Sequence, residues 1–269
     1  MGRRSKKSRK QRREARRRGA YVLPNLFTTA SLFSGMFAAT EAIQGNFVIA
    51  SLAILASLVL DGLDGKVARA TGTVSQFGVE YDSLCDLVAF GVAPAIMVYM
   101  WALQSLDRLG FAAAFLFVAC GALRLARFNV QTAKVGTSHF VGLPIPAAAS
   151  VLSTLVLMWH ELFGAQAPHP WMVVAIIFVL SFLMVSSVPY LCFKEIGLSK
   201  LKSFNCMVAT VLLFILVAIQ PQVMGFAMMA SYVVGGPFAA RYLAKKKAAK
   251  AEAEKAASQV ADHERLPLS

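Results

Sequence analysis

The chain has 269 residues, 57% of them hydrophobic and 15% charged, with a formal net charge of +13. So much apolar mass excludes an ordinary soluble domain. The basic excess sits at the two ends, in MGRRSKKSRKQRREARRRG and in the lysines around Lys246; such ends suit a nucleic-acid arm or an anionic membrane face, and the apolar body between them decides for the membrane, with no nucleic-acid partner expected.

In chain order, residues 1–20 read as a basic cytoplasmic segment, residues 21–243 as one membrane domain, and residues 244–269 as a charged cytoplasmic tail, a solvated helix or disordered. The basic start precedes an apolar run, as in a secretory signal. It lacks a convincing small-residue cleavage site and is followed by many more apolar runs, so it is read as retained. Its charge serves either as a topology signal or as a lipid-surface element; the absence of a clear apolar face favours the first.

A spanning helix needs about 20 mostly apolar residues. Eight runs qualify, near Leu26–Ala42, Phe47–Val67, Gly78–Leu103, Gly110–Phe128, Leu143–Phe163, Trp171–Tyr190, Phe204–Gln220 and Val223–Tyr242. The expected fold is therefore an all-α polytopic membrane protein. Alternate connections (AIQGN, LQSLDR, HELFGAQAPHP, QPQ) are nearly free of Lys and Arg, whereas the others carry Lys66, Arg69, Arg124, Arg127, Lys134, Lys194, Lys200 and Lys202. The positive-inside rule then places both termini in the cytoplasm, and an even number of spans requires that they share a side. Gly235, Gly236 and Pro237 allow a bend in the last run. Cys85, Cys120, Cys192 and Cys206 show no metal-binding spacing and read as small buried hydrophobes. The four histidines are scattered.

The strongest signal joins the second and third runs: LDGLDGKVARATGTVSQFGVEYDSLCDLVAFG, with Asp61, Asp64, Asp82 and Asp86. Ionised groups in membrane helices cost several kcal/mol and point to function. Asp61 and Asp64 are three apart and Asp82 and Asp86 four apart, so each pair shares a helix face. A short connection makes the helices antiparallel and brings both pairs to one depth. Two unit charges ~5 Å apart at an effective dielectric of 20 repel by roughly 3 kcal/mol, so either some carboxyls are protonated or cations bind among them. All-oxygen ligation suits magnesium or manganese, and two such ions form the usual clamp for displacement at phosphorus. Gly65 lets a phosphate or base approach the backbone, Arg69 can bind phosphate oxygens bidentately, Gly78 allows close contact, and Ser75 offers a hydroxyl. A cation-coupled transporter is the alternative from another class, but it calls for carboxylates near the midplane and a repeat between halves.

The pattern D-x2-D-G-x2-A-R-x8-G-x3-D-x3-D, met by Asp61, Asp64, Gly65, Ala68, Arg69, Gly78, Asp82 and Asp86, resembles the signature of the CDP-alcohol phosphatidyltransferases. LPNLFTTASLFSGMFAA resembles that family's first helix, and ALRLARFNVQT with FVGLPIPAAA resembles its membrane-integral bacterial phosphatidylserine synthases. The resemblance implies a core of six transmembrane helices, here with two more, usually dimeric, around a polar cavity open to the cytoplasm, in the inner membrane of the cell. It implies CDP-diacylglycerol and L-serine as substrates and two divalent ions (Mg2+ or Mn2+) as cofactors. Asp61, Asp64 and Asp82 are implied as metal ligands, Asp86 as both ligand and general base, and Asn25, Asp61, Gly65, Arg69 and Ser75 as contacts of CDP-diacylglycerol. Glycerol 3-phosphate and inositol phosphate stand as alternative acceptors. Independently of the resemblance, Arg124 and Arg127, with Asn129 or Lys134 nearby, are candidates for holding the serine carboxylate; they serve equally as positive-inside anchors.

Overall fold

A computed structural model describes residues 24–72, 75–135, 142–188 and 219–236, with side chains omitted from 132 to 135. Among these residues every regular element is helical, as expected where lipid offers the backbone no partners. Helix α1 spans Pro24–Ile43; its proline starts the first turn, where a missing N–H costs nothing. A turn through Gly45 (φ +86°) leads into α2, Phe47–Thr71. Gly72 ends α2 in the left-handed conformation (φ 62°), returning its N–H to the carbonyls of Ala68 and Arg69. Ser75 then caps α3, Gln76–Asp86, its Oγ accepting the Gly78 N–H at 3.0 Å.

Past Asp86 the helix widens into a π turn, Leu87–Val92, before α4, Ala93–Val98. Pro94 explains the widening. It has no N–H, and its ring crowds the carbonyl one turn back. The Ala93 N–H reaches instead to the Val88 carbonyl, five residues back. A second π turn, Tyr99–Leu103, and a 3-10 turn, Gln104–Leu106, lead to Asp107, whose φ of 46° and ψ of −117° reverse the chain into α5, Asp107–Val135. A side chain on Gly110 would collide with the Leu103 carbonyl, so the two limbs meet at their backbones. Helices α6 (Ile145–Phe163), α7 (Pro170–Val185) and α8 (221–236) complete the described bundle.

Among the described residues, four continuous helical stretches are long and apolar enough to cross a membrane: Pro24–Ile43, Phe47–Thr71, Gln76–Gln131 and Ile145–Phe163. The protein is a multi-pass membrane protein. The third stretch has 56 residues. Straight, it would run roughly 84 Å against a hydrocarbon core of about 30 Å. The reversal at Asp107 divides it into limbs that match the expected third and fourth runs. The sixth expected run, Trp171–Tyr190, is helical only to Val185. Beyond it the Leu143 N–H bonds the Leu183 carbonyl at 3.0 Å and the Gly142 N–H bonds the Val188 carbonyl at 2.9 Å, and Val188 precedes Pro189, which disfavours helical backbone. The expected Phe204–Gln220 run up to residue 218, the end of the last run, and both polar tails lie outside the described residues, as do Cys192 and Cys206. Cys85 is buried and Cys120 half-buried, both free.

Small residues and hydroxyls hold the bundle, as membrane helices require, because apolar side chains gain nothing by leaving lipid. Ala38, Ala42, Ala50 and Ser57 are fully buried. Ser31 and Ser57 join α1 to α2 through a 2.7 Å hydroxyl pair, and the Ser57 hydroxyl also donates to the Ser31 carbonyl at 3.0 Å. Ile145 wedges its Cδ1 against Gly121 and Gly91. Phe33 and Phe182, each 73% exposed, face outward as lipid-facing residues do.

Gly35 of α1 lies tight against the π turn: a Cβ there would lie 2.6 Å from the Ala89 Cα. Gly35→Ala is expected to destabilise the protein by about 1–3 kcal/mol, read as a lowered thermal midpoint in detergent. Gly62→Ala, where a Cβ meets nothing within 4 Å, should leave the midpoint no lower.

Candidate active site

The carboxylates come from two helices, α2 and α3, joined by the short connection from Gly72 to Ser75. Asp61 and Asp64 project from α2, and Asp82 and Asp86 from α3. Across the two helices the Asp61 carboxyl lies within hydrogen-bonding reach of Asp86, and that of Asp64 within reach of Asp82. One oxygen from each of Asp61, Asp64 and Asp82 falls within 4.8 Å of the others. Asp64 is buried, and the other three are half-buried. Three carboxylate oxygens at that separation form an all-oxygen donor set of the kind a hard divalent cation takes. Asp86 stands beside this group through its contact with Asp61.

Helix α1 forms the next wall. The Thr28 hydroxyl donates to Asp64 Oδ2 at 2.7 Å, fixing that carboxylate's rotamer. Thr29 meets the Tyr81 hydroxyl at 2.9 Å and ties α1 to α3. Thr28 and Tyr81 were not singled out from the sequence; Thr28 could have been found by its place one turn after Asn25 on α1. Between α1, α2 and α3 opens a cleft of about 200 Å³, bordered by Asn25, Asp64, Gly65, Arg69, Ser75 and Asp82. Gly65 lies within α2, and its missing side chain makes room for Arg69, whose guanidinium nitrogens lie 3.6 Å from where a Cβ would be. Gly78 likewise lets Ser75 and Asn25 close over the start of α3. The cleft thus has acidic groups at its floor and an exposed arginine at its rim. That combination suits a diphosphate whose charge is met by cations below and a guanidinium above.

The three residues considered for a carboxylate-bearing acceptor diverge. Arg124 is buried, with 8% exposure; its guanidinium sits 5.6 Å from the Phe128 ring centre, in electrostatic reach of Asp86, and its Nε has no hydrogen-bond partner. Arg127 is exposed and donates Nη1 to the Val185 carbonyl at 3.3 Å, capping the end of α7. Asn129 donates to Glu80 Oε2 at 3.1 Å and pairs with the Ser83 hydroxyl, joining α5 to α3. The Lys134 side chain lies outside the described residues.

A multi-pass helical bundle that opens an acidic, arginine-rimmed cleft at one end defines a membrane-embedded enzyme of phosphoryl-group transfer. The family model for CDP-alcohol phosphatidyltransferases matches residues 21–178, and the chain belongs to that family. It is 44% identical over 176 residues to the CDP-diacylglycerol–serine O-phosphatidyltransferase of Helicobacter pylori, covering 65% of this chain and 74% of that one. It is 34% identical over 181 residues to the enzyme of the same name from Bacillus subtilis, covering 67% of this chain and 96% of the relative. The archaetidylserine synthase of Methanothermobacter thermautotrophicus is 38% identical over 173 residues, with 63% and 69% of the two chains covered.

Groups that orient a metal ligand from behind typically contribute 10–100-fold to ion affinity. Thr28→Val, which keeps the shape and removes the donor to Asp64, is expected to weaken Mn2+ binding about tenfold, measured by titration calorimetry on the purified protein. Unchanged affinity would show that Asp64 needs no fixing from α1.

Proposed function

We propose that this protein transfers the phosphatidyl group of CDP-diacylglycerol to L-serine, giving phosphatidylserine and CMP. The cross-helix carboxylate cluster opening on the arginine-rimmed cleft carries the reading, and the reactions named for the relatives support serine as the acceptor. Asp61, Asp64, Asp82 and Asp86 hold two divalent ions, magnesium or manganese. When bound, these ions neutralise the diphosphate and the departing CMP. Asn25, Asp61, Gly65, Arg69 and Ser75 receive the cytidine diphosphate, and Arg69 pairs with its phosphate oxygens. Asp86 takes the proton of the serine hydroxyl, a poor nucleophile at neutral pH unless a base lies within reach. The serine oxygen bonds to the phosphorus that carries diacylglycerol as the bond from that phosphorus to the CMP oxygen breaks.

This end of the bundle, and both termini, lie on the cytoplasmic side of the inner membrane, a reading supported by the positive-inside pattern of the sequence. The membrane catalytic domain extends over 21–243, between basic and charged tails, in a bundle of about eight spans that associates as a homodimer.

The direct test is CMP release from CDP-diacylglycerol with serine, glycerol 3-phosphate or inositol phosphate as acceptor, before and after chelation. Release with serine alone, silenced by EDTA and restored by Mg2+ or Mn2+, is the expected result. Activity surviving thorough chelation contradicts the role of the ions, and preference for a phosphorylated acceptor contradicts serine. Asp86→Asn should still fold and bind CDP-diacylglycerol yet release no CMP.

Of the candidate acceptor groups, Arg124 alone combines burial, an unpartnered Nε and proximity to Asp86. Arg124→Lys should therefore raise the serine KM at least about tenfold with little change for CDP-diacylglycerol, since charged hydrogen bonds carry that much and a lysine cannot reproduce the planar fork. Arg127→Ala should leave the serine KM near wild type and lower stability instead.

A further inference from the structure

Helix α3 carries two of the four carboxylates on only 11 residues, Gln76–Asp86. Of the three oxygens that converge within 4.8 Å, those of Asp61 and Asp64 come from α2 and that of Asp82 from α3. The width of the donor set therefore follows the placement of α3. Side chains end about 5–6 Å from a helix axis, so a roll of roughly 10° carries a carboxylate about 1 Å. Ligand distances at a metal are met to about 0.2 Å. The carboxylates cannot hold that roll themselves, since they repel one another when ionised.

Asn129 of α5 grips α3 at two points. Its amide nitrogen donates to Glu80 Oε2 at 3.1 Å and to Ser83 Oγ at 3.1 Å. An amide NH2 has two hydrogens, so both bonds hold at once. The Ser83 hydroxyl has acceptors of its own in the Val79 carbonyl at 3.1 Å and Asn129 Oδ1 at 3.3 Å. Glu80 and Ser83 are three residues apart and share one face of α3. Two bonds from that face converging on one atom of α5 centre that atom between them. They fix both the roll and the slide of α3, which a single bond leaves free. Asp82 lies between the two anchors in sequence, and Asp86 stands three residues past Ser83, on the same face. On another side of α3 the Thr29 hydroxyl of α1 meets that of Tyr81 at 2.9 Å.

We propose that Asn129 is a positioning residue for the metal centre: its amide clips Glu80 and Ser83 and so sets α3 where Asp82 and Asp86 complete the ligand set begun by Asp61 and Asp64. That role rests on the reading that the aspartates hold divalent ions. It also separates Asn129 from the acceptor, because the amide nitrogen that a carboxylate would need is already engaged by α3.

The test compares full-length wild type with Asn129→Leu, which keeps the size and removes the amide, and with Ser83→Ala, which removes one anchor and little volume. Mn2+ binding is titrated by calorimetry on the purified proteins, beside CMP release at graded Mn2+ and the thermal midpoint. Asn129→Leu is expected to weaken Mn2+ binding about tenfold and to raise the half-saturating Mn2+ for CMP release by the same factor. The serine KM and kcat at saturating Mn2+ should stay within about twofold of wild type. Ser83→Ala should weaken Mn2+ binding about threefold, the share of one hydrogen bond, and it decides the matter if Asn129→Leu does not fold. Unchanged Mn2+ affinity overturns the inference whatever the midpoint does, since the clip would then only pack. A raised serine KM at unchanged Mn2+ affinity overturns it in favour of contact between Asn129 and the acceptor. Wild-type protein that binds no Mn2+ overturns the metal reading, and this inference with it.

Discussion

Two helices bring like charges together at one end of the bundle. Asp61 opposes Asp86 and Asp64 opposes Asp82, so the register of α2 against α3 and the geometry of the site are the same constraint. At roughly 3 kcal/mol for two ionised carboxylates ~5 Å apart at an effective dielectric of 20, the repulsion exceeds what any single polar contact in the bundle returns. Interhelical hydrogen bonds in membranes average only about 0.6 kcal/mol. The Ser31–Ser57 pair and the Thr28–Asp64 bond therefore cannot offset four ionised carboxylates by themselves. Shared protons, or cations between the carboxylates, resolve the imbalance, and the second resolution is the one that gives a phosphotransferase its working groups.

The rest of the architecture serves to keep that register. Gly72 stops α2 and Ser75 starts α3 within a few residues, so the two acidic pairs cannot slide past each other. The π turn after Asp86 falls where α3 meets α1 at Gly35 and α6 at Ile145. Within it the Ala93 N–H reaches the Val88 carbonyl, five residues back. The turn also lets the stretch below the site follow a different register from the stretch that carries the aspartates. Wide turns of this kind are often found at functional sites. Here the cause is a specific proline, and the consequence is a close backbone approach that a regular helix with larger side chains would not permit.

How much of this could be read beforehand depended on the range of the interaction. The aspartate spacing is local, and spacing of three and four residues on helices fixes a shared face wherever the helices end up. The first five apolar runs were legible for the same reason. The acceptor side was not. Arg124 and Asn129 lie five residues apart, roughly 140° around a helix, so their side chains leave α5 on different faces. That Arg127 would cap α7 depended on where α7 stops, which in turn depended on the Gly142–Leu143 segment taking the carbonyls of Leu183 and Val188. No local pattern encodes that exchange. Pro94 did signal an irregularity, but whether a proline kinks, breaks or widens a helix is decided by its neighbours.

The two sides of the site differ in how the chain builds them. The walls of the donor cleft come from α1, α2 and α3, consecutive in sequence and lying within the segment that matches the family. The buried cation in electrostatic reach of Asp86 comes from α5. Transfer from a CDP-linked lipid needs the same diphosphate pocket and the same acids whatever alcohol attacks, so those groups can sit on one compact hairpin. Choice of alcohol needs only a few polar groups at the far side of Asp86, and these can be supplied by whichever helices pack there. A buried arginine is tolerable in a membrane helix when an acid and an aromatic face lie near it.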